Sequence, residues 1–135
     1  MTYTHAITTT LSWNDAVERT REALAEQGFG VLTEIDVKAT FAQKLGPEAA
    51  EALGDYIILG ACNPQLAHRG ISAEPALGAL LPCNVVVRRA PGEDATTVET
   101  IDPQTMARLS GTEAMKDVAN DADARLLAAL ATLRG

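Results

Sequence analysis

The sequence predicts a single α+β domain over residues 1–135, with a mostly antiparallel sheet of about five strands and helices packed on one face. Five short segments have strand-like patterns, and helical patterns separate most of them. Two segments rich in valine and threonine flank a tight turn, which predicts a hairpin. A length of 135 residues is typical of one domain, and folding should bury about two-thirds of the chain's surface. Hairpins and short helical connections together favour antiparallel pairing with helices on one side.

The first three predicted elements are a strand, a helix and a second strand. Polar and apolar residues alternate over residues 2–11, which is typical of a half-buried strand. Ser12 and Asp15 match a capping box that begins a helix, and Gly28 matches the end of that helix. Residues 29–37 alternate again and predict the second strand. Its two expected faces are Phe29, Val31, Ile35 and Val37 on one side, and Gly30, Leu32, Glu34 and Asp36 on the other.

The rest of the chain alternates short helices with three more strands. Asn63-Pro64 supplies a cap followed by proline at the first helical position, and Thr112 caps the last and longest helix. Apolar residues on both faces of the central strands predict a second layer on the open face, which another copy of the chain could supply. The remaining predicted elements are a helix over residues 38–45, a helical turn over 48–53, a strand over 56–62, a helix from 63 ending at 70–72, a hairpin of strands over 83–89 and 96–101, a helical turn after Asp102-Pro103, and the helix from residue 112.

The charge balance excludes two classes of partner. The chain carries 11 basic and 18 acidic side chains, for a formal net charge of -7. A nucleic-acid binder needs a basic surface that displaces counterions, and attachment to an anionic membrane needs a basic one too. The N-terminal residues do not resemble a secretory signal, and no apolar run approaches the roughly 18 residues of a membrane helix. We therefore expect a cytoplasmic protein whose thiols stay reduced and which binds neither nucleic acid nor membrane.

The two cysteines are the main candidates for chemistry. Cys62 lies at a predicted strand end just before a helix N-terminus, where backbone N–H groups can activate a thiol. Cys83 begins the strand over 83–89, and neighbouring strands would bring the two thiols together. With His68 they could bind a soft metal, although no standard zinc spacing is present. They could also form a redox pair, or both could be ordinary buried residues, which is the commonest fate of a free cysteine.

Two further positions carry weaker signals. Glu34 and Asp36 share one face of a predicted strand and could bind a cation or share a proton, although solvated carboxylates on a strand face are the simpler interpretation. His5 lies on a partly buried strand face. The sequence identifies no partner for it, which is typical of a structural histidine.

Three blocks of sequence form a recognisable pattern: Gly60-Ala61-Cys62-Asn63-Pro64, then Glu74-Pro75 with Gly78, and Leu80-Leu81-Pro82-Cys83-Asn84-Val85-Val86-Val87. They resemble a small prokaryotic family, domain-of-unknown-function family 302, and residues 28–37 and 101–103 look like the same family. The resemblance implies a TATA-binding-protein-like α+β fold, with a curved antiparallel sheet, and a homodimer. It implies no activity, and DNA binding does not follow from a shared fold. It points to a site at Cys62, Asn63, Pro64, Cys83 and Asn84, with Glu34 and Asp36 nearby.

The leading hypothesis is a homodimeric module that binds a small ligand or a soft metal near the two Cys-Asn segments. The sequence names no cofactor and leaves open whether the protein is an enzyme. One alternative is a thiol-dependent redox or sulfur-handling enzyme, with Cys62 as the nucleophile and Cys83 as the resolving thiol. The other is a structural subunit without a site of its own.

Overall fold

Five antiparallel strands form one sheet. The structure, a computed structural model, describes residues 2–134. The strand order across the sheet is β1-β5-β4-β3-β2, so the first two strands of the chain lie at opposite edges. The strands are β1 (Thr4–Thr9), β2 (Gly30–Asp36), β3 (Asp55–Cys62), β4 (Cys83–Arg89) and β5 (Thr96–Ile101).

Helices connect most of the strands, and the two longest pack against each other. The 14-residue α1 joins β1 to β2, and the 21-residue α6 ends the chain. The helices are α1 (Trp13–Glu26), α2 (Val37–Leu45), α3 (Pro47–Leu53), α4 (Pro64–Ala73), α5 (Gln104–Ser110) and α6 (Glu113–Leu133), with a 3₁₀ helix (Pro75–Leu80) between α4 and β4. The α+β class, the antiparallel sheet and the two strands of the hairpin are as the sequence predicts.

The main core lies between one face of the sheet and the pair α1 and α6. Leu24 of α1, Leu59 of β3 and Leu126 of α6 are almost completely buried in it. The indole N–H of Trp13 donates to the carbonyl oxygen of Val87 at 2.9 Å, which ties the start of α1 to β4. Pairing and helix packing together hold β3 and β4 at the centre of the sheet, where the two Cys-Asn segments lie.

A β-bulge corrects the predicted faces of β2. The register shifts between Val31 and Thr33, so that Val31 lies opposite Ala61 whereas Ile35 lies opposite Ile58. An inserted residue reverses the alternation of side chains. Val31 therefore packs against the core, while Ile35 is on the opposite face and is 50% exposed. The sequence placed both on one face, and that prediction was wrong.

A close approach at Gly60 holds the chain before β4 against β3. A Cβ atom at Gly60 would lie 2.8 Å from Cγ of Pro82 and would also collide with the side chain of Thr33. Only glycine leaves room for this contact. Because Pro82 directly precedes Cys83, the contact also fixes the start of β4 beside the end of β3.

None of the helices within residues 2–134 combines the length and the apolar character needed to span a bilayer.

Candidate functional site

A small apolar cavity lies where β3 ends and β4 begins. Its volume is about 40 Å³, and its walls come from both strand ends, α4, the 3₁₀ helix, α5 and α6. Four of the side chains that border it carry sulfur: Cys62, Cys83, Met106 and Met115. Asn63 is the one polar side chain among the described residues of the wall. We call this space the sulfur-lined cavity.

The register of the sheet brings the two cysteines together. Cys83 lies directly opposite Ala61 in the antiparallel β3–β4 pair, so Cys62 is one residue beyond its partner position. From standard strand spacings, their Cα atoms are roughly 6 Å apart. The pleat alone would send the two side chains to opposite faces, but Cys62 is the last residue of β3 and borders the same cavity as Cys83. Both cysteines are free thiols.

Burial determines the protonation of Cys83. This residue is 6% exposed, and loss of solvation raises the pKa of its thiol from 9.0 to about 11, with a smaller contribution from electrostatic repulsion by Cys62. Cys83 is therefore a neutral thiol at physiological pH, and a buried neutral thiol is a poor nucleophile.

This pKa shift predicts a loss of stability at high pH that depends on Cys83. The neutral thiol is favoured in the folded state, so its stabilisation is complete below pH 9.0 and disappears as the pH rises to about 11. A shift of this size corresponds to about 3 kcal/mol. Urea unfolding measured at about pH 8 and about pH 10.5 should show a larger loss for the wild type than for Cys83→Ala. Equal losses in both proteins would mean that Cys83 does not titrate in this way.

The two methionines are the part of the cavity that sequence analysis missed. Met115 is completely buried and Met106 is 4% exposed, and both belong to one cluster with Cys83 and Leu77. The spacing of the last helix assigns Met115 to an apolar stripe, and nothing in the sequence connects either methionine to Cys62. A count of sulfur-bearing residues would have raised the question whether the methionines lie near the cysteines, since the chain has only two cysteines and three methionines.

The two asparagines have different environments. Asn63 is the N-cap of α4, as the sequence predicts, and its Oδ1 accepts from the backbone N–H groups of Gln65 and Leu66 at 3.1 and 3.2 Å. These bonds occupy donors that could otherwise stabilise a thiolate at Cys62. Asn84 lies opposite Gly60 in β4 and is exposed, and it does not border the cavity.

The remaining predicted site residues lie outside the cavity. His68 is exposed on α4 and does not border the cavity. Glu34 forms an ion pair with Arg21 of α1, and Asp36 is the N-cap of α2, where it accepts from the N–H of Ala39 at 2.9 Å. The carboxylates of Glu34 and Asp36 thus have structural partners.

The structure supplies a partner for His5. Its Nε2 lies 2.8 Å from Oδ1 of Asp123 and 3.6 Å from Oδ1 of Asp102. Sequence patterns do not reveal this cluster, because Asp123 is 118 positions away from His5 in the chain.

The fold and the cavity define a small α+β protein with a five-stranded antiparallel sheet and a sulfur-lined cavity where β3 ends and β4 begins. Residues 5–133 match the family described as "Domain of unknown function DUF302", and the chain belongs to that family. The resemblance found in the sequence is therefore confirmed.

One solved structure is closely similar. It is the crystal structure of an uncharacterized conserved protein DUF302 from Bacillus stearothermophilus, with 28% sequence identity and a TM-score of 0.87. The match covers 99% of this chain and 100% of that chain. Comparison with curated proteins finds no match.

Proposed function

We propose that the protein is a Cu(I)-binding module whose site is the sulfur-lined cavity. The observation that carries this proposal is that two cysteines and two methionines are among the residues that line one small, apolar cavity. Thiolate and thioether ligands are soft, and they suit Cu(I), Zn²⁺ and iron–sulfur clusters. Zinc sites use thiolate, imidazole and carboxylate ligands, so the two methionines favour copper.

The size of the cavity favours an ion over an organic ligand. A volume of about 40 Å³ has room for about three water-sized groups, whereas an engineered cavity of about 150 Å³ is needed to hold benzene. An organic ligand would have to displace the buried side chains around Cys83 and Met115. A single metal ion needs no such rearrangement.

The exposure and charge of the site suit entry of a cation. Cys62 is partly exposed and Cys83 is buried, so an ion would meet Cys62 first and Cys83 afterwards. Binding to Cys83 would release its thiol proton, because the thiolate is the form that binds a metal. The formal net charge of -7 also attracts cations to the protein. We place the protein in the cytoplasm, where both thiols remain reduced.

Competition for Cu(I) tests the proposal. The reduced protein is titrated anaerobically against a chromophoric Cu(I) chelator, with Zn²⁺ titrated in parallel. We expect one equivalent of Cu(I) to move from the chelator to the protein, and the Cys62→Ala protein to take up much less. Less than a tenth of an equivalent of bound copper, or equal uptake by Cys62→Ala, would contradict the proposal.

The thiol-enzyme alternative has weaker support. It needs an activated nucleophile at Cys62 and a resolving thiol at Cys83, and the proximity of the two cysteines favours it. The raised pKa of Cys83 opposes it, as does the capping of the first turn of α4 by Asn63. Fast alkylation of Cys62 at neutral pH, without copper uptake, would favour the enzyme over the metal site.

We also propose that the protein is a homodimer that uses the edge strand β2. This seven-residue strand lies at one end of the sheet and carries Leu32 and Ile35, which are 71% and 50% exposed. An edge strand has unpaired backbone N–H and C=O groups that a second chain can pair with. A second copy would extend the sheet from β2.

Light scattering tests the dimer. At micromolar concentration we expect twice the chain mass of 14.2 kDa. The Ile35→Lys variant should be a monomer, and Leu109→Lys, which changes a 69% exposed leucine on α5, should remain a dimer. A monomeric wild type would contradict the proposal.

A further inference from the structure

We propose that His5, Asp102 and Asp123 form a second metal site, which binds a divalent cation of the zinc type. The three residues come from β1, the position after β5, and α6. One potential ligand atom from each lies within 4.8 Å of the other two. None of the three residues borders the sulfur-lined cavity.

The spacing of the donor atoms fits a bound ion. In a tetrahedral site with metal–ligand bonds of about 2.0–2.1 Å, neighbouring ligand atoms are about 3.3 Å apart. Nε2 of His5 lies 2.8 Å from Oδ1 of Asp123 and 3.6 Å from Oδ1 of Asp102, on either side of that value. A small adjustment of side chains would place all three atoms around one cation.

The charge of the cluster also fits a divalent ion. Two carboxylates and a neutral imidazole carry a charge of about -2. Across residues 2–134, His5 is the only basic side chain that forms an ion pair with Asp102 or Asp123. A cation of charge about +2 would balance both carboxylates, which a protonated histidine balances only in part.

Backbone contacts hold the site in place while solvent keeps access to it. The N–H of Asp102 donates to the carbonyl of Tyr3 at 2.8 Å, and its Oδ1 accepts from the N–H of Gln104 at 2.9 Å. Such supporting bonds orient a metal ligand. The side chains of His5, Asp102 and Asp123 are 27%, 15% and 21% exposed, so an ion can reach them and a water molecule can complete the coordination.

The ligand types separate this site from the cavity. Imidazole and carboxylate suit Zn²⁺ and Co²⁺, whereas thiolate and thioether suit Cu(I). The second site therefore does not depend on the proposed function, and either proposal can fail alone.

Titration of the full-length protein with Co²⁺ tests the site. We expect one equivalent to bind and give weak visible bands without the intense near-ultraviolet absorption of a Co²⁺–thiolate bond. Asp123→Asn should lower the affinity at least about tenfold. Asp121→Asn is the matched control, because Asp121 lies two positions before Asp123 on the same helix but pairs with Arg69 and Arg125. The Co²⁺ affinity of this variant should be unchanged.

The two histidines allow the same test in the wild-type protein. The chain contains only His5 and His68, and His68 is exposed on α4. In the NMR spectrum, paramagnetic Co²⁺ should shift the ring resonances of His5 at low occupancy and leave those of His68 in place. The His68→Gln variant lacks the His68 signals and so assigns the two sets of resonances. The proposed site would be overturned by weak Co²⁺ binding without saturation or by equal effects on both histidines. It would also be overturned by thiolate absorption or by an unchanged Co²⁺ affinity in Asp123→Asn.

Discussion

Replacement of Cys83 by alanine is expected to lower the affinity for Cu(I) by roughly a hundredfold or more. Changes that only reorient a metal ligand cost about 10–100-fold, and this change removes a ligand altogether. Alanine is smaller than cysteine and introduces no polar group into the cavity, so a loss of binding would not come from a new unpaired group. Chelator competition measures the affinity directly, and thermal unfolding checks that the variant folds.

Two comparisons separate a role of sulfur from a role of packing. Met115→Leu removes a thioether while keeping the volume of a buried side chain, so stability should change by less than about 1.5 kcal/mol while copper affinity falls. His68→Gln should bind copper as the wild type does, because His68 does not border the cavity. Unchanged copper affinity in both Cys83→Ala and Met115→Leu would place any bound copper elsewhere.

The pH dependence of binding identifies the proton that Cu(I) displaces. Cys83 holds its proton up to a pKa of about 11. Below that pH, each unit increase should raise the affinity about tenfold through this one thiol. In Cys83→Ala, the slope of log affinity against pH should fall by about one. An unchanged slope would mean that Cys83 keeps its proton when copper binds.

Replacement of Gly54 by alanine is expected to destabilise the protein by about 2–6 kcal/mol, from backbone strain of about 1–3 kcal/mol and overpacking of about 1–3 kcal/mol. Gly54 has a φ of +81°, and a Cβ atom there would lie 2.6 Å from the carbonyl oxygen of Arg89 and 2.8 Å from Cδ of Pro91. These atoms belong to backbone and a proline ring, which cannot easily move. The change is large compared with a typical total stability of about 5–15 kcal/mol.

Gly92 provides the matched control. Its φ is also +81°, but a Cβ atom there would have no neighbour within 4 Å. Gly92→Ala should therefore show only the backbone strain, about 1–2 kcal/mol. Urea unfolding of both variants measures the difference, which contains the contact between the α3–β3 turn and the start of the hairpin turn together with any extra strain from the ψ of −161° at Gly54. Equal destabilisation would show that this contact is absent.

The elements that the sequence predicts well are those whose signals are local. The strands Cys83–Arg89 and Thr96–Ile101 match their predicted bounds, since β-branched residues and a turn mark them directly. The caps at Ser12, Asn63 and Thr112 are also confirmed, because each depends on a side chain and an N–H group two or three residues later.

The features that the sequence does not predict depend on residues distant in the chain. The bulge after Val31 depends on how β2 meets β3, so alternation along β2 alone misassigns its faces. Cys62 and Cys83 could be brought together on the assumption that their strands are neighbours, and the register confirms that assumption. The addition of Met106 and Met115 to the cavity depends on the packing of α5 and α6, which no local pattern encodes.

The copper K-edge X-ray absorption spectrum of the anaerobic one-equivalent complex tests the central claim most directly, because it reports the element of the atoms bound to copper. If Cu(I) occupies the cavity bordered by Cys62, Cys83, Met106 and Met115, the first shell contains only sulfur, and its sulfur count falls in Cys83→Ala. A first shell of nitrogen or oxygen would contradict the proposed site.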